Sequence, residues 1–238
     1  GTFPFPTRYT HMAALATAFE WGRLKMQASV LGYFVHEKVE RFEARPDKAV
    51  ATPAFFGSFK VLKNHDLSVR AFYKRMFRMP TFNDLYYTDM GNAFLKPEYA
   101  EQFNVGLKYT RNFEKSPFMR MLDVSVDAYY NKITDKIIAY PKGQQFRWTM
   151  LNLGEVEIKG VDAVLNALFT LGKLEVTTKF QYTYQKAIDI TDPADTYYRD
   201  QIPYIPWHSG SAILALFYKG WGLNYSFIYT GQRYNQQE

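Results

Sequence analysis

The sequence predicts an all-β protein, an antiparallel meander of about ten strands of the kind that builds a transmembrane β-barrel. Three observations predict it. Apolar and polar residues alternate with a period of two along most of the chain. The connections between the alternating segments switch between short and long. Aromatic residues make up 18% of the chain, with 19 tyrosines and 20 phenylalanines, and such side chains suit a pleated surface.

The predicted strands are residues 8–20, 23–35, 52–63, 67–76, 98–110, 119–131, 147–170, 173–186, 207–218 and 221–231. The first two meet at "EWGR", and "HEKVERFEARPDKAVA" separates the second from the third. In "LSVRAFYK", Leu67, Val69, Ala71 and Tyr73 oppose Ser68, Arg70 and Lys74. In "AEQFNVGLKY", Phe103, Val105, Leu107 and Tyr109 oppose Gln102, Asn104 and Lys108. "RMLDVSVDAYYN" is the clearest case: Leu122, Val124, Val126, Ala128 and Tyr130 take one face, and Asp123, Ser125, Asp127, Tyr129 and Asn131 the other. "KGVDAVLNALF" and "LEVTTKFQYTYQ" continue the pattern, with Asp162 and Asn166, then Glu175, Thr177, Lys179 and Gln181, on the polar side. "WGLNYSFIYT" closes it with Leu223, Tyr225, Phe227 and Tyr229 facing together.

In a meander, successive connections lie at opposite ends of the sheet. Here "EWGR", "KNHD", "TLGK" and "KG" are short and the turn over 111–117 is moderate, while 36–51, 77–98, "KITDKIIAYPKGQQF" and "KAIDITDPADTYYRDQIPYIP" are long. All short turns then fall at one end and all long loops at the other, as in outer-membrane barrels. Tyr109, Tyr130, Tyr182, Tyr184, Trp207 and Trp221 sit near the ends of the apolar stripes, where interfacial girdles are expected. A soluble β-sandwich also alternates, but its strands usually run about five to six residues and it gains nothing from sorting loops by length.

Composition narrows the function. No window approaches the roughly 18 apolar residues of a transmembrane helix. "GTFPFPTRYT" carries no signal-peptide pattern, so an exported protein is expected to be represented here by a mature piece or fragment. The absence of cysteine excludes disulfides and thiolate chemistry within the chain. The net charge of +6 is spread without a basic run, so nucleic acid is not an expected partner. GxSxG, HExxH and P-loop motifs are missing, and no enzyme activity or cofactor is expected.

The stretch "FRMPTFNDLYYTDMGNAFLKPE", Phe77 to Glu98, stands out. Pro80 and Pro97 argue against helix and central strand, which predicts a long loop with no helix anywhere in the chain. Its aromatic residues argue against disorder.

Four boxes in order resemble the C-terminal part of the barrel of TonB-dependent outer-membrane receptors of the cobalamin, haem and siderophore type. "FRMP" at Phe77 to Pro80 resembles the FRAP box of that family, and "GNAFLKPEYAEQFNVGLKY" its Asn-Pro-Asn-Leu-x-Pro-Glu box. "NLGEVEIKGVDA" is similar to the segment opening a later strand, and "YTGQRY" to the end of a late strand in the cobalamin receptor. The resemblance implies a 22-stranded type of barrel in the outer membrane of a Gram-negative bacterium. It implies that residues 1–238 form part of that barrel, without its plug domain, early strands and last strands. It further implies active uptake of a scarce metal-containing nutrient, cobalamin or a ferric siderophore before haem. The implied partners are TonB, contacted through the missing N-terminal region, the plug of the same receptor, outer-membrane lipid and a small metal-chelate ligand. A passive pore, an adhesin barrel or a soluble β-rich binding module are the alternatives that the strand pattern leaves open.

Candidate site residues follow. Phe82, Asn83, Tyr86 and Tyr87, with Tyr197, Tyr198 and Arg199, are candidate ligand contacts in extracellular loops, set against a plain packing role. Arg70, Lys108, Asp123, Asp127, Asp162 and Lys179 are expected to face the lumen and a plug. No metal site is expected. Asp189, Asp192 and Asp195, with Asp200 nearby, are weak calcium candidates because turn-forming roles beside Pro193 suit them better. His11, His36, His65 and His208 are too dispersed for zinc, and His65 falls in a predicted turn. Haem receptors of the family carry a histidine between the two boxes, and this chain has none between Phe77 and Leu95.

Overall fold

A computed structural model describes residues 4–41, 43–62, 66–87, 90–142, 147–196, 198–203 and 205–234. Ten strands form one antiparallel sheet in strict sequence order. They are β1 (Pro6–Trp21), β2 (Leu24–Val39), β3 (Lys48–Lys60), β4 (Asp66–Arg78), β5 (Glu98–Asn112), β6 (Met119–Lys142), β7 (Arg147–Leu171), β8 (Leu174–Asp189), β9 (His208–Tyr218) and β10 (Trp221–Thr230). A single helix among the described residues, α1 (Phe82–Tyr86), lies between β4 and β5.

Hairpin chemistry fixes the short end. Gly22-Arg23, Gly172-Lys173 and Lys219-Gly220 each join two strands directly. Gly22, Gly172 and Gly220 have φ of 58°, 62° and 88°, and Lys219 has 47°. Positive φ at such turns matches the right-handed twist of the flanking strands. His65, in the β3–β4 connection, lies outside the described residues.

The register aligns chemistry across the whole sheet. Glu20, Lys25, Ser58, Arg70, Gly106, Asp127, Asp162, Thr183, Ser209 and Thr230 form one cross-strand row, polar or glycine at every position. The adjacent row on the opposite face is Trp21, Leu24, Phe59, Val69, Leu107, Val126, Ala163, Tyr182, Gly210 and Tyr229. A one-residue slip at any strand would exchange these faces, so the alternation itself specifies the register. The apolar face is broadly exposed: Leu15 is 79%, Trp21 75%, Trp221 82% and Leu223 64% accessible. An exposed apolar surface of this extent is stable against lipid and not against water. A sandwich is thereby overturned, because no second sheet covers the apolar face among the described residues.

Two expectations are corrected. The segment over 132–142, read as loop, is the upper part of β6, paired with β7 from Thr134↔Glu155 to Lys142↔Arg147. The connection between them is therefore short, and strict short–long sorting fails there. Its inner residues Ile133 and Ile137 are buried, at 8% and 6% exposure, under loop residues. The upper hairpin thus has no lipid-facing stripe to announce it. The second correction is α1, where no helix was expected. Pro80 precedes this helix without interrupting it. Thr81 caps it: the Asp84 N–H donates to the Thr81 hydroxyl at 3.1 Å, and the Thr81 N–H donates to the Asp84 carboxylate at 2.8 Å. That reciprocal pair satisfies two otherwise orphaned groups.

Candidate functional site at the loop end of the sheet

Both long connections pack onto the sheet's inner face, each through its own small core. In the β4–β5 connection, Leu85 and Leu95 are 2% and 1% exposed and pack with Ile137. Phe82, Tyr86 and Met150 close around them. In the β8–β9 connection, Ile202 packs with Ala100, Ile133, Val156 and Ala187. The Ile202 N–H donates to the Ala187 carbonyl at 2.9 Å, and the Ala187 N–H donates to the Gln201 side chain at 3.1 Å.

The boxes that carry the family resemblance are the fasteners of this arrangement. Asn92 Nδ2 donates to the Met150 carbonyl at 3.0 Å. Asn152 accepts from the Lys96 N–H at 2.8 Å and donates to the Lys96 and Asp135 carbonyls at 3.1 and 2.7 Å. Glu98 accepts from the Ile137 N–H at 2.9 Å. Phe77 of the first box lies between Tyr33 and Tyr99, with centroids 5.7 and 5.4 Å away. On the other flank, Arg8 pairs with buried Glu37 at 2.5 Å, donates to the Pro80 carbonyl at 2.7 Å and stacks over Phe82 at 4.8 Å. Arg45 donates to the Leu95 carbonyl. Burial pushes the Tyr86 phenol above its ordinary pKa of 10.0, and the Glu37 carboxylate adds to the shift.

The predicted loop residues therefore divide. Phe82 and Tyr86 turn into the loop's own core, whereas Asn83 is exposed and Tyr87 is 59% exposed. Phe94, which the sequence reading missed, is 92% exposed on a turn fixed by its N–H to Asn92 Oδ1 at 3.0 Å and by buried Leu95. Its signal was present in the box "GNAFLKPE", where an aromatic sits between an Asx-turn residue and an apolar anchor. In the β8–β9 connection, Arg199 is exposed with a φ of 71° and Tyr198 is half-buried. Tyr197 lies outside the described residues. Asp189 and Asp192 accept the N–H groups of Thr191 and Ala194 at 2.9 and 2.8 Å, as turn-forming aspartates do. No three acidic or histidine side chains gather for a metal among the described residues.

Five of the six predicted inner-face residues are tied laterally by side-chain bonds. Arg70 on β4 reaches Asp127 on β6 at 2.5 Å, passing over Gly106 of β5. A Cβ at Gly106 would lie 2.1 Å from Asp127 Oδ1. Asp123 accepts from Thr110 at 2.8 Å and lies 3.4 Å from Lys108. Asp162 accepts from Thr183 at 2.7 Å, and Lys179 stands opposite Asn166. Tyr129 repeats the device, crossing Gly160 to reach Gln185 at 3.2 Å.

This arrangement is a one-sheet barrel wall with an apolar outside, a polar inside and inward-packed loops at one end. The family model described as TonB dependent receptor-like, beta-barrel matches residues 15–238. The chain belongs to the TonB-dependent receptor β-barrel family. It is 34% identical over 99 residues to a vitamin B12 transporter of Vibrio vulnificus, covering 42% of this chain and 14% of that protein. It is 30% identical over 166 residues to a vitamin B12 transporter of Photobacterium profundum, covering 67% and 24%. Among solved structures it superposes on a copper transporter, OprC, with a TM-score of 0.70 at 18% identity, covering 98% of this chain and 36% of that one. The FrpB iron transporter of Neisseria meningitidis (F3-3 variant) gives 0.58 at 15%, covering 94% and 32%. These receptor-barrel likenesses at low identity show the fold. The chain spans a quarter or less of the length of the vitamin B12 transporters it matches, 14% and 24%. These relatives are named as transporters, none as an enzyme.

Proposed function

We propose that this chain is the loop-bearing sector of an outer-membrane receptor that takes up a scarce metal-containing nutrient in a Gram-negative bacterium. Residues 1–238 supply part of the barrel, and a plug and the TonB-contacting region belong to the rest of the receptor. The observation that carries the reading is the pair of folded loops held over the inner face by the family's own boxes. A passive pore needs no aromatic residue presented on so firmly anchored a turn. Cobalamin is the leading ligand, because the two relatives at 34% and 30% identity are named vitamin B12 transporters. A ferric siderophore follows, and haem ranks behind both. Exposed Asn83, Tyr87, Phe94 and Arg199 are the proposed contacts, with Phe82, Tyr86 and Tyr198 holding the loops in shape. Aromatic rings at such a surface add contact area at low entropic cost.

The test is equilibrium binding of cobalamin, a ferric siderophore and haem to the full receptor in detergent, with and without calcium. Tight cobalamin binding, weakened about tenfold by Tyr87→Ala or Phe94→Ala, is the expected result. No binding of any of the three refutes the ligand assignment.

A further inference from the structure

The inner face carries a pocket that the loop cores leave open. It lies just toward the loops from the polar row of Lys25, Ser58 and Arg70. Its lower row is Gln27, Phe56 and Phe72, and its upper row is Ser29, Ala54 and Lys74, each in register on β2, β3 and β4. These residues lie two and four positions along their strands from the polar row, so all six face the lumen. Together they line a pocket of about 360 Å³. Its depth comes from size: Ser29 and Ala54 are small, and Phe56 and Phe72 stand directly opposite each other below them.

The sequence places the pocket at a break in the wall. β3 and β4 pair only from Ala54↔Lys74 to Lys60↔Ser68. Pro53, next along β3, brings no N–H to the ladder. Beyond it β3 stays with β2 as far as Lys48↔Val35, while β4 stays with β5 as far as Arg78↔Glu98. In the row above the pocket, Thr52 is 6% exposed and Met76 packs against the core of Ile202. The packed mouth of the barrel therefore stops one row above the pocket.

Charge decides what the pocket suits. Lys74 is exposed and forms no ion pair among the described residues. The carboxylates on the inner faces of β2 to β5 are engaged elsewhere: Glu37 pairs with Arg8 at 2.5 Å, Asp66 with Lys60 at 2.5 Å, and Glu98 accepts the Ile137 N–H at 2.9 Å. Arg70, in the row below the rings, is held by Asp127. The wall thus offers one unneutralised ammonium above two rings. That set matches an anion joined to a planar group: the ammonium takes the anion and the rings take the plane. A cation or a purely apolar group would leave Lys74 without a partner.

We propose that this pocket is a subsite, beneath the loops, for the anionic, ring-bearing end of the imported chelate. The subsite rests on the uptake reading above. For cobalamin that end is the phosphate-linked aromatic base, with the phosphate at Lys74 and the base against Phe56 and Phe72. The corrin then lies on the loop side of the pocket.

The test is equilibrium binding to the full receptor in detergent, with cobalamin and with cobinamide, the corrinoid that lacks the phosphate-linked base. Lys74→Gln is expected to weaken cobalamin about fivefold. Ala54→Phe, which fills the pocket and leaves Lys74, is expected to weaken it as well. Both variants are expected to bind cobinamide as wild type does. A heat-modifiable gel shift of each variant separates loss of the subsite from loss of folding. Unchanged cobalamin affinity in both folded variants, with Tyr87→Ala still weakening it, overturns the subsite and leaves the uptake reading standing. Equal losses for cobalamin and cobinamide overturn the assignment of the phosphate-linked end. New protease cleavage of the plug in ligand-free Lys74→Gln makes Lys74 a plug contact and overturns the subsite. A wild-type receptor that binds neither corrinoid overturns the cobalamin assignment and the subsite with it.

Discussion

Replacing Gly106 by alanine tests the inner face most sharply. Glycine inside a strand ordinarily costs about 0.5–1 kcal/mol relative to alanine. Gly57→Ala, where the added methyl meets nothing within 4 Å, is expected to gain about that amount. At Gly106 the methyl would lie 2.1 Å from Asp127 Oδ1 and 3.1 Å from Arg70 Nε, so the side chains must give way. The pair is two-pronged, with Arg70 Nε and Nη2 both donating to Asp127, at 3.2 and 2.5 Å. Arg70 is 34% exposed and Asp127 17%, which places the pair between the screened and buried limits. Losing its geometry is expected to cost about 1–2 kcal/mol on that scale. Gly106→Ala should therefore fall about 1–2 kcal/mol below Gly57→Ala in urea unfolding of the receptor in detergent. In an Asp127→Ala background the Gly106→Ala penalty should vanish, giving a coupling of the same size. Equal effects of the two glycine substitutions, or an unchanged penalty without Asp127, refute the reasoning.

Other outcomes follow from the same geometry. Gly160→Val places side-chain atoms where the Tyr129 hydroxyl lies 2.3 Å from the ideal Cβ, so it should expel the ring and break its bond to Gln185; unchanged tyrosine fluorescence and stability would contradict this. Leu85→Ala removes a side chain only 2% exposed and should cost about 2–3 kcal/mol, felt locally as faster hydrogen exchange over 79–97 with the global unfolding midpoint nearly unmoved. The Tyr86 phenol has a raised pKa in the folded loop, so its contribution to docking is fully present below the unfolded value near 10.0 and is lost as pH rises through the folded value. Protection of the loop should collapse in that alkaline window, and Tyr86→Phe should remove the collapse.

The strands were legible because lipid on one side and water on the other imposes a period of two, as in Leu122 to Asn131. Arg70, Lys108, Asp123, Asp127, Asp162 and Lys179 could be assigned a face for the same reason. Above the membrane that signal ends. Ile133 and Ile137 bury against loop residues and Lys132 and Lys136 face elsewhere, so the upper part of β6 reads as irregular. The helix α1 was hidden by Pro80, although "TFND" carries its capping pair. Which loop aromatics are exposed was legible only in part: the Asn92 turn marks Phe94, whereas nothing in the sequence around Phe82 announces its burial. The fate of Phe82 is set by a long-range partner, Arg8 over its ring.

The central claim is that neighbouring residues along each strand face different media. The chain has no cysteine, so single cysteines at Val126, Asp127, Asp162 and Ala163 can be placed in the receptor without background from this sector. In native outer membranes, a membrane-impermeant thiol reagent able to enter the lumen should label Asp127→Cys and Asp162→Cys. It should spare Val126→Cys and Ala163→Cys, which a lipid-soluble reagent should label instead. Equal labelling of adjacent positions by the impermeant reagent would contradict the account.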